Sequence, residues 1–191
     1  MTTRRARTLP NLLTVLRIAL VPVFTVVLVV GADRLGLRLL AVGLFVVAAA
    51  TDQVDGWLAR RWDQVTDVGK ILDPIADKLL MGSALVVLSA LGELWWWVTV
   101  VILVREVGIT VLRFCLLRYV VLPASRGGKL KTVLQSVAIG LFLLPLGHLP
   151  LAVTWVAWAT MAAALVVTVV TGADYLRAAA RIRAEARHAR A

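Results

Sequence analysis

Four aspartates carry the chemistry this chain can do, and their spacing makes them worth reading together. Asp52-Gln-Val-Asp55-Gly56-Trp-Leu-Ala59-Arg60 is followed, after eight residues, by Gly69-Lys-Ile-Leu-Asp73-Pro-Ile-Ala-Asp77. If both flanks are helical, Asp52 and Asp55 share one face, Asp73 and Asp77 share another, and a short loop brings the two faces together. Four like charges gathered at a membrane boundary repel one another and are costly to desolvate. Such a cluster persists only if it is protonated, hydrated or neutralised by cations. Hard oxygen donors without His or Cys select Mg²⁺, Mn²⁺ or Ca²⁺ over zinc. Two such ions roughly 3.5 to 4 Å apart would offset the charge and clamp a phosphate between an attacking and a departing oxygen, which is phosphoryl-group chemistry. Gly56, Ala59 and Gly69 suit the same purpose, because small residues let a nucleotide or a neighbouring backbone come close. Each pair alone has a plainer explanation: an Asp-x-x-Asp commonly ends a helix in solvent, and Asp73 before Pro74 suits an N-cap with proline at the first helical position. In that case Asp73 and Asp77 would not share a face.

The elements that must hold these residues follow from composition. Of 191 residues, 61% are apolar and 17% charged, and mean hydropathy is +0.90, whereas soluble domains run near ~45–50% apolar and ~25% charged. A globule this small lacks the interior to hide so much apolar surface, so the chain belongs in a bilayer. The same figures exclude a disordered or collagen-like chain, and the lone Cys115 excludes a disulfide-stapled fold and a cysteine zinc site. Net charge is +10. In a membrane protein that excess answers first to the positive-inside bias and an anionic leaflet, and only then to nucleic acid, which is not expected as a partner.

Apolar stretches of about 20 residues, the length that crosses ~30 Å of hydrocarbon, recur along the chain. Six are expected, at 11–30, 36–50 continued by a polar run to 61, 72–92, 94–117, 130–147 and 150–172, with no strand-like segment and no fixed-period repeat. The fold class is therefore all-α, a polytopic membrane protein with six transmembrane helices: a basic N-terminus over 1–10, one catalytic bundle over 11–175, and an Arg/Ala-rich tail over 176–191. The first apolar stretch exceeds the h-region of a signal peptide, carries Arg17 and lacks a small-x-small cleavage site, so it is expected to be retained. Pro10 is placed to open the first helix and Pro22 to kink it. Lys and Arg crowd the N-terminus, the loops after the second and fourth spans, and the tail, while the opposite side has only Arg34 and Arg38. That asymmetry puts both termini and the aspartate loop in the cytoplasm of a multi-pass cell-membrane protein.

With the spacing Asp52-x2-Asp55-Gly56-x2-Ala59-Arg60-x8-Gly69-x3-Asp73-x3-Asp77, the stretch resembles, without a departure, the signature of the CDP-alcohol phosphotransferase family. The resemblance implies a six-helix membrane enzyme that cleaves the diphosphate of a CDP-linked lipid or alcohol with the help of two divalent cations, Mg²⁺ or Mn²⁺. By position it makes Asp52, Asp55 and Asp73 metal ligands, Asp77 the general base that also faces the metals, and Gly56, Ala59 and Arg60 the cytidine-nucleotide contacts, with Gly69 giving room beside them. Homodimers are usual in families of this kind.

Three further stretches narrow the acceptor. Asn11, Thr14 and Arg17 form a polar stripe at three-residue steps on an apolar helix and are assigned with the CDP-lipid contacts. Arg105 and Arg113 lie eight apart on one face, with Glu106 adjacent, and an arginine within a membrane is expensive, so they answer either to Glu106 or to a bound anion. Gly128-Lys129-Leu-Lys131-Thr132 opens the fifth helix. A pocket of Arg105, Arg113, Lys129 and Lys131 would suit a phosphorylated acceptor. Together these runs look like the phosphatidylglycerophosphate-forming branch of the family, which implies CDP-diacylglycerol as donor and glycerol 3-phosphate as acceptor. Inositol phosphate, serine or phosphatidylglycerol are the alternative acceptors within the family. A divalent-cation transport protein is the alternative of another class, and it calls for carboxylates toward both membrane faces. Trp95 to Trp97 read as an interfacial belt, Cys115 as an inert thiol, His148 as lying on the far side from the chemistry, and the arginine tail as a partner of the anionic inner leaflet.

Overall fold

The computed structural model describes residues 3–61, 67–116 and 126–188, with side chains at 15–51, 75–112, 128 and 130–181. Six helices carry the chain: α1 (Thr3–Val30), α2 (Leu35–Arg61), α3 (Asp67–Ala90), α4 (Trp96–Leu116), α5 (Arg126–Leu143) and α6 (Leu151–His188), with a single 3₁₀ turn over Leu146–His148 and no strand among the described residues. The all-α expectation holds, with one helix at each expected position. Among the described residues one helix, Leu151–Arg181 of α6, is long and apolar enough by itself to cross a membrane, and Val15–Val30, Leu35–Thr51 and Leu130–Leu143 are shorter apolar helices. The apolar part of α2 stops at Thr51, and Arg105 and Glu106 break the run of α4.

One boundary differs from expectation. The first helix begins at Thr3, so Pro10 sits within it instead of opening it; a proline has no N–H, so the helix gives up one backbone hydrogen bond there. At the other end α6 runs unbroken to His188, because alanine and arginine are strong helix formers and nothing in the tail stops them.

The bundle packs α1 against α2 and α3, α5 against α6, and α4 against α6 and α3. Its core is built from Phe24 and Leu28 on α1, Phe45 on α2, Leu85 and Leu88 on α3, Ile102 on α4, Phe142 on α5 and Met161 on α6. Outward faces are apolar too: Val26, Val46, Val104 and Val166 are each more than half exposed, while Arg17, Arg38, Lys131 and Gln135 are buried. This inversion suits hydrocarbon surroundings. Hydroxyls on the helices donate to their own backbone one turn back, as Thr25 does to Val21 (2.8 Å) and Thr160 to Val156 (2.7 Å), so they need no water.

The far end of the bundle, opposite the aspartates, is sewn together by turns. At Gly31 a Cβ would stand 2.6 Å from the Val27 carbonyl oxygen and 2.8 Å from the Leu37 Cβ, so only glycine allows α2 to fold back on α1. Gly92 takes φ 75°, and its N–H donates to Ser89 while that of Glu93 donates to Leu88, closing α3 with a left-handed Schellman cap. Arg38, which the sequence reading treats as a loop charge, is buried. It donates to the last carbonyls of α5, at Leu143 (2.8 Å) and Phe142 (3.0 Å), and pairs with Glu93. Trp95 stacks beside Trp97 and packs on Trp158, with all of Trp95 to Trp97 exposed, as an interfacial belt should be.

Candidate active site

The two aspartate pairs ride on helices throughout. Asp52 and Asp55 fall in the last turns of α2, which continues to Arg61, and Asp73 and Asp77 fall inside α3. Because α3 begins at Asp67, six residues before Asp73, the N-cap explanation for Asp73-Pro74 does not hold, and Asp73 and Asp77 stand one turn apart on a continuous helix. Helices α2 and α3 are in contact. The side chains of Asp52, Asp55, Gly56, Ala59, Arg60, Gly69 and Asp73 lie outside the described residues, as do those of Asn11, Thr14, Arg113 and Lys129. Among the described residues no three His, Cys, Asp or Glu side chains gather to hold a metal. Divalent cations fit what is present by donor chemistry and helix phase: all four expected ligands are carboxylates, set at one-turn intervals on two touching helices.

Asp77, half-buried, opens onto a cavity of about 520 Å³ enclosed by α3, α4, α5 and α6. Its wall includes Lys78, Arg105, Glu106, Lys131, Gln135 and Tyr175. Three of the residues singled out from sequence, Asp77, Arg105 and Lys131, are thus brought together. Arg17 is buried on α1, which takes no part in this wall.

Glu106 organises the cavity. Its Oε1 accepts from Arg105 Nη1 (3.1 Å) and pairs with the Lys131 ammonium, and its Oε2 lies 3.5 Å from Lys78 Nζ. Arg105 reaches Glu106 from a fixed seat: its Nε donates to the Thr168 carbonyl (3.2 Å) and its Nη2 to Thr171 Oγ1 (2.8 Å), both on α6. Gly172 clears the way, since a Cβ there would meet Arg105 Cγ at 3.2 Å. Of the two alternatives for Arg105, pairing with Glu106 is the one seen. Lys78, Gln135 and Tyr175 are cavity residues that sequence reasoning passed over. Two signals pointed to them: Lys78 directly follows Asp77, and Gln135 stands one helical turn beyond Lys131 on α5. Nothing local announced Tyr175.

Chemically, the cavity sets a carboxylate at its edge beside a basic wall, an arrangement that can receive an anionic molecule and take a proton from it.

Residues 7–170 match the family model described as CDP-alcohol phosphatidyltransferase. A probable phosphatidylglycerophosphate synthase of Mycobacterium tuberculosis (strain ATCC 25618 / H37Rv) is 52% identical over 178 residues, covering 93% of this chain and 84% of that one. The CDP-diacylglycerol–glycerol-3-phosphate 3-phosphatidyltransferase of Bacillus subtilis (strain 168) is 38% identical over 180 residues, 87% and 92% of the two chains. The protein of the same name from Rickettsia bellii (strain RML369-C) is 36% identical over 176 residues, 89% and 94% of the two.

Proposed function

The chain belongs to the CDP-alcohol phosphatidyltransferase family, and from that premise we propose that it transfers a phosphatidyl group from CDP-diacylglycerol to glycerol 3-phosphate, releasing CMP and forming phosphatidylglycerol phosphate. The observation that carries the choice of acceptor is the cavity lined by Asp77, whose wall holds Lys78, Arg105 and Lys131 against two carboxylates, Asp77 and Glu106, among the described residues. A neutral acceptor would leave that positive wall uncompensated, whereas a phosphomonoester neutralises it. The names of the relatives agree with this reading.

In this mechanism the acyl chains stay in the bilayer and the nucleotide and glycerol phosphate enter from the cytoplasm. Asp52, Asp55, Asp73 and Asp77 would hold two divalent cations, Mg²⁺ or Mn²⁺, which when bound supply neutralisation of the diphosphate and polarisation of the reacting oxygens. Gly56, Ala59, Arg60 and Gly69, with Asn11, Thr14 and Arg17, receive the CDP-lipid, Arg60 by a charge-assisted contact to the diphosphate. Arg113, Lys129 and Lys131 attract the acceptor's phosphate. Asp77 accepts the proton of the acceptor hydroxyl as its oxygen attacks the lipid-bearing β-phosphorus in line, and the P–O bond to CMP breaks. Six membrane-crossing helices, cytoplasmic termini, a homodimer and a basic tail resting on anionic lipid complete the proposal. A cation pathway fits less well, because Glu106, one of two carboxylates that line the cavity among the described residues, is already held by three cations.

The test is direct. Purified protein with CDP-diacylglycerol and Mg²⁺ or Mn²⁺ is offered glycerol 3-phosphate, inositol phosphate, serine or phosphatidylglycerol separately, and CMP and the lipid formed are measured. Glycerol 3-phosphate alone should give product. Product with a different acceptor overturns the choice of acceptor, and CMP release with none of them overturns the reaction.

A further inference from the structure

Three helices each send a cation to Glu106: Lys78 from α3, Arg105 from the same α4, and Lys131 from α5 complete a knot in which one carboxylate faces three positive charges. With Asp77 also on the cavity wall, three cations stand against two carboxylates among the described residues, so the wall keeps an excess of positive charge. Desolvated charge left uncompensated is costly, and an entering anion supplies what is missing.

The three cations are not equally free to meet that anion. Arg105 has its Nε, Nη1 and Nη2 committed to Thr168, Glu106 and Thr171, which makes it a strut between α4 and α6. Lys131 is 7% exposed and closes directly on Glu106 Oε1. Lys78 differs on each count. Its side chain is 35% exposed, and its Nζ stands 3.5 Å from Oε2, beyond good hydrogen-bond range. It also adjoins Asp77 in the chain. A compact ammonium on a flexible four-carbon stem can leave one oxygen for another at little cost.

We propose that Lys78 is a phosphate ligand of the acceptor, resting beside Glu106 and transferred to the acceptor's phosphate when it enters. This rests on the reading of a phosphorylated acceptor given above. Glu106 is then a positioning residue, keeping Lys131 and Arg105 in place while releasing Lys78. The lysine's neighbour Asp77 is the proposed base, so the same helical turn would fix the phosphate and take the proton.

The experiment uses the full chain in vesicles containing CDP-diacylglycerol and Mg²⁺, with CMP release followed against glycerol 3-phosphate for wild type, Lys78→Gln and Lys78→Arg. A second arm titrates glycerol 3-phosphate alone into each detergent-solubilised protein by calorimetry. Lys78→Gln should raise the acceptor KM by about tenfold or more and weaken the calorimetric affinity to match, the size expected for one charge-assisted contact. The donor KM should stay within about twofold, and Lys78→Arg should recover most of the loss. A purely structural lysine would lower the melting temperature and leave the acceptor KM alone, and that result overturns the proposal, as does a rise in donor KM equal to that in acceptor KM. Because the calorimetric arm needs no donor, the two readings separate. Binding without CMP release refutes the reaction while the lysine's role is still read from the affinities. Equal affinities in wild type and Lys78→Gln, or no binding to either, refute the lysine's role.

Discussion

Replacing Glu106 by glutamine keeps the shape of the side chain and removes the negative charge that, among the described residues, pairs with all of Lys78, Arg105 and Lys131. Removing one member of a buried ion pair costs about 3–5 kcal/mol, because its partner is left charged and dry. The Glu106 side chain is 15% exposed, and chains unfolded within a membrane-like phase find other partners, so the lower end, about 3 kcal/mol, applies. For a chain of this length each kcal/mol moves the melting temperature by about 2–4 °C, which gives a fall of about 6–12 °C. Helical circular dichroism in detergent measures it. Adding inorganic phosphate should raise the melting temperature of Glu106→Gln by more than it raises that of wild type, since the anion takes the place of the lost carboxylate. The double variant Glu106→Gln/Lys131→Met should recover at least about half of the loss, because removing both ends of a buried pair is far less costly than removing one. A fall below about 2 °C, or a double variant as unstable as the sum of its parts, would refute the view that Glu106 balances this wall.

Other outcomes are as specific. Asp77→Asn should lower turnover by about a hundredfold or more while retaining metal affinity better than Asp52→Asn, since a base is replaced in one and a ligand in the other; isothermal titration with Mn²⁺ giving equal losses would undo that division. Arg38→Met strips two α5 carbonyls and Glu93 of their buried partner and should cost about 2–4 kcal/mol of stability with the acceptor KM unchanged, because the clamp lies at the end of the bundle away from Asp77. Gly31→Ala drives a methyl into the Val27 carbonyl and should destabilise by about 1–3 kcal/mol, seen as a lower melting temperature without a change in either KM.

The helices and the aspartate motif were legible because their signals are local. Apolar runs of membrane-crossing length, hydroxyls that bond their own helix, and carboxylates three and four residues apart are properties of neighbouring residues, and helix geometry carries them into space unchanged. Boundaries were less legible: the start of α1 before Pro10 turns on local hydrogen bonding that composition does not announce.

Partnership was legible only in part. Adjacency offers Glu106 as a partner for Arg105, but only the fold brings Lys131 to the same carboxylate and ties Arg105 to α6. Arg38 counts as a loop charge until the packing of α2 beside α5 lays it across the carbonyls of Phe142 and Leu143. The amino-acid order alone determined which segments become helices and which residue types can bind cations and phosphate. Only the tertiary structure decided which charges neutralise one another, because electrostatic energy depends on distances between residues far apart in the chain, and those distances exist only once the helices have packed.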